Sequence, residues 1–82
     1  MEKPIRVVLI ESSFLIISGI EKMISELPGM LLTEILDGSE KQLLTIIERQ
    51  KPDVLIVNPE KLGKRLDQLI KSVENSRETI II

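Results

Sequence analysis

At 82 residues, with 43% hydrophobic and 29% charged side chains, the sequence describes one small folded domain and excludes a disordered chain. A formal charge of −2, a single aromatic residue (Phe14) and no histidine or cysteine leave no global basic footprint for nucleic acid, no aromatic stacking platform, no disulfides and no thiolate or imidazole chemistry. Met1-Glu2-Lys3-Pro4 is no secretory signal and no apolar run reaches membrane-spanning length, so a cytoplasmic domain without membrane contact is expected.

Strand-like and helix-like segments alternate. Ile5 to Ile10 is short, β-branched and almost wholly apolar, as a strand buried on both faces requires. Glu11-Ser12-Ser13 breaks it with good N-cap residues. A helix is predicted from Phe14 to Glu26, because Phe14, Ile17, Ile20, Met23, Ile24 and Leu27 recur at spacings of three and four. Pro28-Gly29 stops it.

Met30 to Leu36 is the second predicted strand, and Asp37-Gly38 its turn. Ser39 opens the next helix, with Ser39 and Gln42 spaced as a capping box and Leu43, Leu44, Ile46 and Ile47 as its apolar face. Lys51-Pro52 ends that helix. Asp53 to Val57 is the third strand and Asn58-Pro59-Glu60-Lys61 a loop. Leu62, Leu66, Leu69, Ile70 and Val73 mark a third amphipathic helix, and Glu78 to Ile82 a fourth strand. The order βαβαβαβ argues for a parallel sheet with right-handed crossovers.

Sites in open parallel sheets lie outside the carboxyl ends of the strands. Here those positions are Glu11-Ser12-Ser13, Asp37, and Asn58 to Lys61. Dinucleotide, phosphate-loop, nucleophile-elbow and zinc-protease signatures are all missing, and a serine without a histidine base is a poor nucleophile. Glu11 and Glu60 are the carboxylates in reach of this edge, read by default as solvated loop charges. Lys61, Lys64, Arg65 and Lys71 alternate with Asp67 and Glu74, which is a solvated helix face rather than a phosphate stripe.

The run Ile5-Arg6-Val7-Val8-Leu9-Ile10, then Leu15, Gly19 and Ile20, then Leu27-Pro28-Gly29, Asp37-Gly38-Ser39-Glu40 and Lys51-Pro52-Asp53-Val54-Leu55-Ile56-Val57, resembles a response-regulator receiver domain of two-component systems. The nearest flavour is the LuxR/NarL type. The resemblance covers the whole chain and implies a flavodoxin-like parallel sheet of order 2-1-3-4 flanked by helices. On this reading residues 1–82 are the N-terminal part of a receiver-like domain, with strand five and its helices missing. DNA binding would then belong to a further domain beyond Ile82.

The resemblance fails at the chemical positions. Asn58 stands at the phosphoacceptor aspartate, and an amide has no anionic oxygen to attack phosphorus. Glu11 and Ser12 stand at the acidic pair that binds magnesium; one carboxylate alone implies a weak magnesium site or none. Lys61 precedes the position of the usual proline, occupied by Leu62; it is read by default as a solvated lysine, and the alternative is an ammonium that satisfies Glu11 without metal. Pro59 has no N–H, so Asn58 is not expected to deamidate through the following amide.

These departures describe a pseudo-receiver: a non-enzymatic regulatory module without a cofactor, acting in transcription through protein contacts. An apolar fourth strand at the sheet edge adds an expectation of self-association. The alternatives are a conventional phosphoryl-accepting receiver with unusual ligands, an unrelated flavodoxin-like enzyme or nucleotide-binding module, and a scaffold protein pairing through that edge.

Overall fold

A computed structural model describes residues 3–74 and 80–81, with side chains through residue 72. The elements run β1 (Ile5–Ile10), α1 (Phe14–Ser25), β2 (Met30–Leu36), α2 (Leu43–Gln50), β3 (Val54–Val57), a single 3-10 turn (Pro59–Lys61) and α3 (Arg65–Glu74). The fold is α/β, with a parallel sheet in which β1 lies between β2 and β3. Ile80–Ile81 pairs parallel beside β3, with Val54 opposite Ile80 and Leu55 opposite Ile81. The rest of the predicted fourth strand lies outside the described residues. No helix among the described residues is long and apolar enough to cross a membrane.

The central position of β1 explains its composition. Val7, Val8, Leu9 and Ile10 are all buried, as a strand covered on both faces demands. Side chains alternate between faces. Val8 and Ile10 pack with Leu36, Leu55 and Val57 under Leu43 and Ile47 of α2, Leu69 of α3 and Leu62. Val7 and Leu9 therefore face the other way, on the side that α1 covers.

Three local expectations change. Only Ile24 of the α1 face is fully buried, with Ile17 and Ile20 half-buried, while Phe14, Met23 and Leu27 are exposed. Its main contact with the sheet is with β2. The capping box does not form: α2 starts at Leu43, its N-cap Gln42 makes no side-chain cap, and the Ser39 hydroxyl donates to Asp37 Oδ1 instead, 2.6 Å away. A two-residue Asx-type bond is the more local option and wins. Last, α3 begins at Arg65, because Leu62 belongs to the turn before it and is buried there.

Candidate functional site

The sheet brings the chemical positions together. The β1–β3 register sets Ile10 opposite Val57, so the next residues, Glu11 and Asn58, leave the two strands side by side. Backbone bonds fix both: Glu11 N–H donates to Leu36 O at 2.9 Å and Asn58 N–H to Ile10 O at 3.0 Å. Glu11 is 3% exposed, so it is not the solvated loop charge that its position in the sequence suggests. Glu60 is exposed and joins the site only through its backbone N–H.

A buried carboxylate needs donors. Glu11 Oε2 accepts from the backbone N–H of Ser12 at 2.8 Å and of Ser13 at 3.3 Å. Asn58 Nδ2 donates to Glu11 Oε1 at 3.1 Å and Oε2 at 3.3 Å. The other end of that amide is also used: Asn58 Oδ1 accepts from Glu60 N–H at 3.1 Å and caps the 3-10 turn. Pro59 suits the first position of that turn, where its missing N–H costs nothing. Ser12 supplies its backbone and is otherwise exposed.

Burial pushes the Glu11 carboxyl up. The Ser12 and Ser13 amides, the Asn58 amide and the nearby Lys61 charge together hold it below its ordinary value of 4.5. Lys61 acts through its field. The groups that hydrogen-bond the carboxylate are Asn58 and the Ser12 and Ser13 amides, with the Lys61 charge acting alongside them. Because the folded value is depressed, the carboxylate stabilises the fold above its ordinary range, and that contribution is lost as pH falls through the folded value. Acid unfolding of Asn58→Ala should begin at higher pH than that of the parent, read by far-UV dichroism between pH 5 and about pH 2.

Around this pair stands a second layer that the sequence did not disclose. The Glu40 carboxylate accepts from the N–H groups of Asp37 and Gly38, both at 2.9 Å. Asp37 is held below its ordinary value by the Ser39 hydroxyl and amide. Arg65, at the start of α3, donates to Gly38 O at 2.7 Å and to Glu40 O. Its guanidinium fork thus ties the β2–α2 loop to α3. In the sequence it was one charge among several on a helix, with nothing local to mark its targets. Arg65→Gln should cost about 1–3 kcal/mol, because two carbonyls lose a charged donor; chemical denaturation measures it.

The chemistry available here is narrow. Glu11 is the residue that would meet a cation, and both of its oxygens already accept hydrogen bonds. No three acidic, histidine or cysteine side chains among the described residues are grouped to hold a metal ion. Asn58 is a hydrogen-bond bridge rather than a nucleophile. Neither a family model, nor a curated protein, nor a solved structure matches the chain.

Proposed function

We propose that this chain is a phosphorylation-independent regulatory module, a pseudo-receiver built on a flavodoxin-like sheet of order 2-1-3-4. It works in transcriptional control through protein contacts and carries out no catalysis. The observation that supports this reading is the Glu11–Asn58 pair. Where phosphoryl transfer needs a nucleophile in line with phosphorus and a metal to offset charge, an amide is bonded to the carboxylate that would hold the metal. The charge is balanced internally, so the carboxyl edge is set in one arrangement without a phosphoryl group or cation. In the described segment no basic face reads nucleic acid, and the module signals by contact.

The test is a ¹⁵N NMR titration with magnesium and then beryllofluoride, following the amides of Glu11, Ser12, Ser13 and Asn58. The expected result is no saturable shift in either step, together with no label incorporated from a radioactive small phosphodonor. Saturable magnesium shifts followed by a beryllofluoride response would replace this reading with a conventional phosphoryl-accepting receiver.

A further inference from the structure

Between the ends of α2 and α3 nearest the carboxyl edge lies a cavity of about 260 Å³, lined by Lys41, Gln42, Leu44, Thr45, Arg65 and Gln68. Its charge is one-sided: Lys41 and Arg65 are cationic, and no acid lines it. Lys41 makes no ion pair among the described residues. Glu40, the acid beside it in the chain, turns its carboxylate to the Asp37 and Gly38 N–H groups. Glu48, further along α2, accepts from the Ser72 hydroxyl.

The cavity is also rich in donors. Arginine carries five N–H groups in a fixed fork. Arg65, half-buried, uses two of its own on the Gly38 and Glu40 carbonyls, which leaves three and holds the guanidinium in place. Gln68, three residues on, shares that face of α3. On the opposite wall Thr45 lies four residues from Lys41 and three from Gln42. The side chains of Lys41, Gln42, Thr45 and Gln68 make no hydrogen bond among the described residues. Five donating side chains thus meet in one small space, two of them charged, and the set is complete between two helices that pack on the same core.

We propose that this cavity binds a small tetrahedral oxyanion, either free phosphate or the phosphate group of a small monoester. The remaining N–H groups of Arg65 suit two oxygens of such an anion, and Lys41 adds a second charge. The Thr45 hydroxyl and the Gln42 and Gln68 amides serve the other oxygens. Volume sets the size class, because clefts that enclose drug-sized ligands run to roughly 300–1,000 Å³. Binding here also bears on the carboxyl edge. Arg65 holds the Gly38 carbonyl, and a Cβ at Gly38 would stand 2.9 Å from the Lys61 backbone oxygen. An anion on Arg65 therefore tightens the loop that packs on the turn after Asn58. The inference goes beyond the phosphorylation-independent reading: the ligand is held without a covalent bond, by residues other than Glu11 and Asn58.

A ¹⁵N NMR titration of the full chain with sodium phosphate, at ionic strength held constant with chloride, tests this. A parallel titration uses glycerol phosphate. The expected result is saturable shifts centred on the amides of Gln42, Leu44, Thr45, Arg65 and Gln68, with smaller ones at Gly38 and Lys61. Tighter binding of glycerol phosphate identifies a monoester as the ligand, and tighter binding of phosphate the free ion. Lys41→Gln should raise Kd about tenfold or more, as a charged donor is lost. Gln68→Glu should abolish binding by placing a carboxylate in the cavity. Both positions are exposed, so far-UV dichroism should not change. Lys22→Gln, which removes the same charge from an exposed site on α1, should leave Kd unchanged. Shifts that do not saturate overturn the inference, and so does an equal loss of affinity in Lys22→Gln and Lys41→Gln. Shifts centred on Glu11, Ser12, Ser13 and Asn58 overturn it as well. The phosphorylation-independent reading fails separately, through magnesium and beryllofluoride responses at those four amides.

Discussion

Replacing Asn58 by aspartate should destabilise the chain by about 2–4 kcal/mol when divalent cations are absent, and magnesium should reverse most of that loss. The amide nitrogen now stands 3.1 Å from one Glu11 oxygen and 3.3 Å from the other. Aspartate puts an acceptor where the donor was. One amide donor shared between the two Glu11 oxygens is lost, an interaction with a charged group worth about 1.5–3 kcal/mol, and two carboxylates then compete for one buried site. One of them responds by holding its proton to higher pH. A magnesium ion supplies the charge that removes the conflict, and at about one hundred times its Kd it returns roughly 2.7 kcal/mol. Thermal melts in EDTA and in magnesium, for parent and variant, measure both terms. The parent should show no magnesium-dependent change. Equal stability of Asn58→Asp and parent in EDTA would mean that the Asn58 bridge contributes nothing to the fold.

That pairing was half legible in the sequence. The strands and their order follow from apolar runs of four to seven residues separated by helical spacing, and β1 and β2 fall on the expected residues. Glu11 and Asn58 were placed as candidates because each follows a strand that ends at the same edge. The burial of Glu11 was not legible, since it depends on Leu36, Asn58 and the Ser12–Ser13 turn closing over it from distant parts of the chain. The register shift between Val7 and Val8, where β2 carries Thr33 as an extra residue, has no pattern in the sequence. Thr33 Oγ1 bonds to Val7 O there, a contact that exists only once the strands pair. The exposure of Phe14, Met23 and Leu27 escaped for the opposite reason. Periodicity reports which residues are apolar, not which of them the sheet covers.

Gly38→Ala should be among the most costly single-methyl additions in the chain, at about 2–4 kcal/mol, whereas Gly29→Ala should cost about 1–2 kcal/mol. Both glycines have positive φ, +97° at Gly38 and +83° at Gly29, so each substitution is charged for an unfavourable backbone. They differ in their surroundings. A Cβ at Gly29 meets nothing within 4 Å, while one at Gly38 meets the Lys61 backbone oxygen at 2.9 Å and the Lys61 Cβ at 3.0 Å. The added cost at Gly38 is thus the cost of forcing the β2–α2 loop away from the turn that follows Asn58. Lys61→Gly should not rescue Gly38→Ala, because the closest atom belongs to the backbone. The displaced loop also pulls on Arg65, which holds the carbonyls of Gly38 and Glu40. Gly38→Ala and Arg65→Gln should therefore cost less together than the sum of their separate effects, since the first already loosens what the second releases. Urea denaturation of the single and double variants measures that coupling. Strict additivity would mean that the loop and α3 are not mechanically joined at the carboxyl edge, and that Glu11 and Asn58 hold their geometry without this outer layer.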